Sequence, residues 1–348
     1  MSSLFGVIEG FYGRQWSWSQ RRELLQLLPG FQCNAYLYAP KGDPFLRKRW
    51  REDWPSEVFA ELEALSELSQ SLSLSFGMGL SVLDYSEADQ AVLEWKIERL
   101  NQLRLGHLGV FFDDMRGDDD ALLDRQLSAL RFIREHSRVK NLIFCPTYYS
   151  LDPVLEKVFG KRPVDYWSRL ASELPEDVQC FWTGPEVCSR RFSAGDAQQA
   201  EEVLGRKPAI WDNYPVNDGR LTSNYLHLQP AMARTLPSGA YQSFFMNPMN
   251  QYELSLPVLA AAHLAVRGDE VAARGACEAF AKRRWGEDFA KFWSRYADVV
   301  QQKGLSEMAP ATREAMLSAL QGFDLEAASE WREWLCGGYE FDPACLTE

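Results

Sequence analysis

A TIM (β/α)8 barrel of the α/β class with a C-terminal helical extension is the fold this sequence predicts. Three observations carry it. Short apolar runs of strand length alternate with longer stretches of helical periodicity, a pattern that calls for a parallel sheet with helices packed on it. Eight such units fit within residues 1–267, the span of one barrel of this kind. Polar and aromatic residues collect at the ends of seven of the runs, where barrel active sites lie.

The units follow in order. Residues 4–8 are the first strand candidate. Ser17 and Gln20 then form a plausible capping box, opening a helix with Leu24, Leu25 and Leu28 on one face. Residues 33–39 are the second strand and 56–72 the helix after it. Residues 74–80 are the third, followed by a helix that Ser86 caps and whose apolar stripe is Leu93, Ile97 and Leu100. The fourth strand, 108–112, runs directly into Asp113 and Asp114, with a helix over 120–136. Residues 141–145 and 178–182 are the fifth and sixth strands, separated by a helix near 164–174. A helix near 196–204 leads to the seventh, 209–211. A longer irregular stretch with one helix candidate precedes the eighth, 241–246, and the helix 254–266. Residues 268–348 are helical in periodicity and rich in Ala, Glu, Arg and Trp, either an extension against the barrel or a small separate domain.

Bulk properties narrow the function. With 46% hydrophobic and 25% charged residues the composition is that of an ordinary globular protein. A formal net charge of −12 argues against nucleic acid as the main partner, because a phosphate backbone calls for a basic face. No run of 18 apolar residues marks a membrane span, and residues 1–10 lack the basic and apolar regions of a signal peptide. The seven cysteines are scattered without a CxxC, as expected of reduced thiols in a cytoplasmic protein. His107, His136, His227 and His263 lie far apart, so no metal site is expected, and no cofactor either.

The strand ends are informative. The first ends in Glu9 to Arg14, the second in Tyr38 to Lys41, the fourth in Asp113 and Asp114, and the fifth in Pro146 to Tyr149. The sixth ends in Trp182 to Pro185, the seventh in Trp211 to Asn213 with Asn217 and Asp218 beyond, and the eighth in Asn247 to Asn250. Aromatic faces suit the C–H surface of a sugar, and amides and carboxylates suit its hydroxyls. Each residue alone has a structural reading. An isolated Asp-Asp is commonly a turn and cap, but this pair directly follows a five-residue apolar run. A single lysine such as Lys41 is commonly solvated, and Trp211 or Tyr149 could simply pack. Asp118 to Asp120 read as a solvated loop at a helix N-terminus.

Taken in order, residues 6–14 (GVIEGFYGR), 36–41 (YLYAPK), 112–114 (FDD), 182–185 (WTGP), 211–213 (WDN) and 247–248 (NP) resemble glycoside hydrolase family 84. That family includes protein O-GlcNAcases and bacterial β-N-acetylglucosaminidases. The resemblance covers roughly residues 4–265 and implies that 1–267 form the catalytic barrel, with 268–348 as a helical C-terminal region. It implies that Asp113 orients the substrate's 2-acetamido group and that Asp114 is the general acid and then the general base. Gly10, through its carbonyl, and Lys41 are implied to contact the sugar. Tyr149 is implied to support the acetamido pocket, Trp211 to wall it and Asn213 to bind the acetamido region, while Asp218 and Asn247 hold hydroxyls. One departure stands out: Tyr148 occupies a position that is acidic in many members, which leaves Tyr148 and Tyr149 as alternatives for the pocket residue.

The chemistry fits an adjacent pair. A retaining glycosidase normally places two carboxylates across the glycosidic bond, one as nucleophile. Neighbouring strand residues are poorly placed for that. In substrate assistance the acetamido oxygen attacks instead, forming an oxazoline. The enzyme then needs one group on the amide N–H and one on the leaving oxygen. A protonated Asp114 beside an ionised Asp113 matches these roles. Two other readings are a non-catalytic N-acetylglucosamine-binding protein and a metal-dependent barrel hydrolase, the latter opposed by the lack of strand-end histidines. The expected partner is an N-acetylglucosamine-bearing glycoside or glycoprotein. Protein-linked, glycan-linked, cell-wall and hyaluronan sources all remain open. The helical tail can pack on its own barrel or reach a partner's site, which leaves a homodimer open.

Overall fold

The computed structural model describes residues 3–231, 233–339, 341 and 343–345. Ten strands occur among them: β1 (Phe5–Glu9), β2 (Ala35–Tyr38), β3 (Ser75–Ser81), β4 (His107–Phe111), β5 (Leu142–Cys145), β6 (Val178–Trp182), β7 (Phe192–Ser193), β8 (Ala209–Asp212), β9 (Arg234–Thr235) and β10 (Ser243–Met246). Eight of them close into a barrel in the order β1-β10-β8-β6-β5-β4-β3-β2, while β7 and β9 form a separate two-stranded sheet. Every barrel pair is parallel, and closure is made by β1 against β10, with Phe5 opposite Phe244 and Val7 opposite Met246. The barrel strands are buried almost throughout, as expected of parallel strands covered on both faces, which explains why they read as continuous apolar runs.

The helices lie where the periodicity places them, with local differences that have local causes. Ser17 caps the helix Trp18–Leu27 in a capping box with Gln20. Such a cap contributes about 1 kcal/mol, and Ser17→Ala removes it. Ser86 caps a short 3-10 turn, Glu87–Asp89, rather than the α-helix itself, which begins at Gln90. The Asp89 carboxylate accepts the Ser86 N–H and is also held by Arg51, which fixes the tighter turn. A further helix, Pro153–Phe159, opens on an Asp152 cap with proline at its first position. The irregular stretch between β8 and β10 holds a 3-10 turn, Thr222–Asn224, and β9, but no α-helix among its described residues.

The C-terminal region forms the helices Glu270–Trp285, Glu287–Gln302, Pro310–Leu320 and Glu326–Leu335. Their apolar faces make a second core with Leu254, Ala261 and Ala265 of the barrel helix Tyr252–Val266. Leu256, Leu259 and Ala262 of that same helix belong to the barrel core. One helix buried on both faces therefore joins the two cores, and it accordingly shows no amphipathic stripe in the sequence. No helix among the described residues is long and apolar enough to cross a membrane.

Candidate active site

The site is built at the C-terminal ends of the strands. After β1 the chain crosses the mouth through Gly10 and Tyr12. The Gly10 N–H donates to Asn247 Oδ1 at 3.2 Å. A Cβ at Gly10 would lie 2.3 Å from Cζ2 of Trp211, so glycine is what lets the indole rest on the backbone. Tyr12 donates its N–H to Asp218 at 2.7 Å and its hydroxyl to Asp114 at 2.6 Å. Asn250 holds this loop by donating to the carbonyls of Tyr12 and Arg14 at 2.7 and 3.0 Å.

After β2 a turn closes from the Asp43 N–H to the Pro40 carbonyl at 3.0 Å and presents Lys41. The Asp43 carboxylate fixes it by accepting from Tyr38 Oη, Trp54 Nε1 and the Phe45 N–H. Lys41 pairs with Asp113 Oδ2, and both side chains are nearly closed to solvent, 5% and 7% exposed. Arg47 follows from the same segment. Its guanidinium donates to the backbone carbonyls of Asp114 and Asp113 at 2.9 and 3.4 Å.

β4 ends at Phe111, and the Phe112 N–H continues the ladder to the Cys145 carbonyl at 2.8 Å. Asp113 follows, buried, and Asp114 then adopts a left-handed conformation with φ 52°. Successive strand side chains point to opposite faces. The left-handed residue breaks that alternation, and both carboxylates line one pocket. Burial pushes the Asp113 carboxyl up. The charges of Lys41 and Arg47, with the Lys41 hydrogen bond, pull further the other way and hold it below the ordinary aspartate value. Its Oδ2 is tied to Lys41, whereas its buried Oδ1 has no hydrogen-bond partner among the described residues. Asp114 accepts the hydroxyls of Tyr12 and, at 3.2 Å, Tyr149. Burial, reinforced by the charge of Asp114, raises both phenols far above their usual range, so they remain neutral donors at physiological pH.

The opposite wall is an amide network. Asn213 Oδ1 accepts from Trp211 Nε1 and Asn247 Nδ2, each at 2.9 Å. Asn213 Nδ2 donates one hydrogen to the Val187 carbonyl at 2.9 Å, and its second N–H has no partner among the described residues. The indole of Trp211 packs on Phe111 and Phe181 inside the barrel.

The nine residues Gly10, Lys41, Asp113, Asp114, Tyr149, Trp211, Asn213, Asp218 and Asn247 thus line a single cavity of about 500 Å³, measured with its open mouth. Tyr149 rather than Tyr148 faces it. The Tyr148 hydroxyl donates to the Gly160 carbonyl and its ring packs edge-on against Tyr166. Other polar strand ends support the site from outside the cavity. Glu9 is buried against Arg21 and Tyr36, and Asp212 against Arg234. Tyr12 and Thr183, from the first and sixth strand-end runs, also line the cavity, and so do Cys145, Val187, Cys188, Val216 and Cys345, which carry no site role in the sequence reading. Tyr12 was detectable, since it sits within the same strand-end run as Gly10. Arg47, Cys188 and Cys345 had no local signal. Among the described residues no group of three or more His, Cys, Asp or Glu side chains is arranged to hold a metal ion.

A closed barrel whose mouth joins carboxylates, amides and an aromatic wall defines a TIM-barrel protein of the glycoside hydrolase class. Residues 5–293 match the β-N-acetylglucosaminidase (NAGidase) family, and the chain belongs to that family, the family-84 glycoside hydrolases. It is 29% identical over 228 residues to the protein O-GlcNAcases of Rattus norvegicus and Mus musculus, covering 62% of this chain and 25% of each relative. The chain therefore spans about a quarter of the length of the curated relatives it matches. It is also similar to the structure of a mutant O-GlcNAc hydrolase of Thermobaculum terrenum, with a TM-score of 0.75 and 26% identity, over 95% of this chain and 73% of the other.

Proposed function

We propose that the protein is a retaining β-N-acetylglucosaminidase that removes terminal β-linked N-acetylglucosamine by substrate assistance. The observation that carries this is Asp113: held ionised by Lys41 and Arg47, with one oxygen in an ion pair and the other buried with no hydrogen-bond partner among the described residues. A buried carboxylate oxygen of this kind is costly unless it meets a donor. The N–H of a 2-acetamido group is such a donor, and a sugar with a 2-hydroxyl alone lacks the matching amide.

The steps follow. Asp113 accepts the amide N–H and stabilises the positive charge that grows on the acetamido group. The acetamido oxygen attacks the anomeric carbon as the glycosidic bond breaks, and Asp114 gives its proton to the leaving oxygen. Asp114 then takes a proton from water, which attacks the anomeric carbon and opens the oxazoline with net retention. Trp211 walls the acetamido pocket and Asn213 contributes its remaining N–H. Tyr149 supports the pocket through its bond to Asp114. Asp218 and Asn247 hold sugar hydroxyls, and Gly10 and Lys41 border the ring. Similarity to protein O-GlcNAcases and to an O-GlcNAc hydrolase supports O-GlcNAc on protein as the natural substrate.

The test uses the leaving group. Asp114→Asn should lower kcat/KM by roughly 10²-fold or more on alkyl or serine-linked N-acetylglucosaminides and far less on p-nitrophenyl N-acetylglucosaminide, whose departure needs little acid help. Equal losses on both substrates would remove Asp114 from the acid role.

A further inference from the structure

We propose that the segment following the helix Glu326–Leu335 is a specificity-determining wall of this same pocket. It closes the side facing the far end of the bound sugar and limits the site to terminal N-acetylglucosamine without substituents on the hydroxyls there. The proposal rests on the hydrolase reading above.

The helix ends in a turn aimed back at the barrel. Gly337 is left-handed, with φ 79°. The N–H groups of Gly337 and Gly338 donate to the carbonyls of Trp334 and Glu333 at 3.0 and 2.8 Å. A Cβ at Gly338 would lie 2.4 Å from Cγ of Glu333, so glycine is needed for the backbone to pass against that side chain. Glu333 in turn accepts both Arg14 terminal nitrogens, at 2.7 and 2.6 Å. Arg14 also donates to the Gly338 carbonyl and stacks over the Tyr339 ring at 4.4 Å. Both members of the ion pair are close to half exposed, so it adds little to stability. Its role is to fix geometry: it ties the turn to the loop that carries Tyr12. On the other flank, Trp334 Nε1 donates to the Ser223 carbonyl at 3.0 Å, in the loop after β8 that also carries Asp218.

These two anchors locate the segment. β1 and β8 are the neighbours of β10 in the barrel, and β10 lies diametrically across from β4. The turn therefore stands over the side of the mouth opposite Asp114, and Cys345 lines the cavity together with Cys188 and Asp218. With Asp114 at the glycosidic oxygen, the anomeric carbon faces β4. The hydroxyls on carbons four and six then face the β10 side, where Cys345 closes the cavity. A glycan continued from either hydroxyl meets the chain's own C-terminal segment.

Aryl N-acetylglucosaminide and its 4-O-methyl and 6-O-methyl ethers would be compared on the full chain and on a variant lacking the residues after Gly337. The full chain should reject at least one ether. The variant should raise that ether's kcat/KM relative to the parent glycoside by roughly tenfold, the scale of one methyl group in a closed pocket. An unchanged ratio overturns the proposal. A second measurement needs no variant: peptide-resolved alkylation of the full chain by iodoacetamide. N-acetylglucosamine should slow labelling of Cys345 and not of Cys336, which is exposed outside the cavity. Unprotected Cys345 overturns the wall even if the parent glycoside is never cleaved, an outcome that by itself counts only against the hydrolase reading.

Discussion

Replacing Lys41 by Met tests the electrostatic centre of the site. Lys41 and Asp113 are a nearly solvent-free pair, and breaking such a pair leaves a buried charge uncompensated, at about 3–5 kcal/mol. Arg47 keeps its charge nearby, which places the expected loss near the lower end, about 3 kcal/mol at pH 7. The sign with pH follows from the native state. With Lys41 present, the Asp113 carboxyl titrates below its unfolded value. It contributes stability that is full above that value and is lost as pH falls through the folded one. Without Lys41 the burial effect dominates and the carboxyl titrates higher, so the deficit of the variant should be widest at neutral pH and shrink towards pH 4. Urea unfolding across pH 4–8 reads this directly. Adding Asp113→Asn to Lys41→Met should recover most of the stability, because the stranded charge is gone. The acid limb of kcat/KM should move up by as much as about two pH units, the equivalent of 3 kcal/mol. A deficit independent of pH, or one that Asp113→Asn leaves untouched, would refute the reasoning.

Three further outcomes follow from the geometry. Gly10→Ala puts a methyl group into the packed Trp211 ring and should raise KM at least several-fold while costing about 1–3 kcal/mol of stability, measured by steady-state kinetics and calorimetry. Glu330 accepts the N–H groups of Glu253 and Leu254, yet burial pushes its carboxyl up to about 8, so the native state keeps a proton that the unfolded chain releases. Its contribution is full in acid and lost as pH rises through 8. Glu330→Gln sets an amide NH2 against one of those N–H donors, so it should be the less stable in acid, but it should not lose further stability from pH 5 to 9, where the wild type loses at most about 5 kcal/mol in urea midpoints converted to free energy. Asp114→Gly and Asp114→Ala both remove the carboxylate, but only glycine adopts φ 52° without cost, so the glycine variant should be the more stable by about 1 kcal/mol in thermal unfolding.

The barrel was legible because its signals are local. Buried parallel strands are short unbroken apolar runs, and the polar residues that end them stand next to those runs in the chain. The same locality made Gly10, Lys41, Asp113, Asp114, Trp211, Asn213 and Asn247 visible as one constellation. What was not legible depends on distance in the chain or on phase. Arg47 reaches the Asp113-Asp114 backbone from a separate segment, and Cys345 reaches the cavity from the far end of the sequence. Tyr148 and Tyr149 lie beyond the end of β5, where strand alternation no longer sets the phase. The hydrogen bonds to Gly160 and Asp114, with the packing of Tyr148 on Tyr166, distinguish them. Lys41 illustrates a subtler limit. A lysine at a sugar pocket suggests a hydroxyl donor, but its first partner here is the Asp113 carboxylate.

Under the proposed mechanism, that coupling explains how two neighbouring aspartates differ in task. Each is held by a separate set of groups: Asp113 by cations, Asp114 by phenols. Cations fix a negative charge in place, which suits a group that must stay ionised while it orients an amide. Neutral phenols bond to a carboxyl group in either protonation state, since a hydroxyl both donates and accepts, which suits a group that gives up a proton and regains it. The left-handed turn at Asp114 brings both side chains to one cavity, and Arg47 pins that turn by its carbonyls while adding to the charge on Asp113. An ordinary nucleophile would need its carboxylate across the sugar from the acid. The pair instead shares one strand end, which is why the proposed mechanism takes its nucleophile from the substrate's acetamido group.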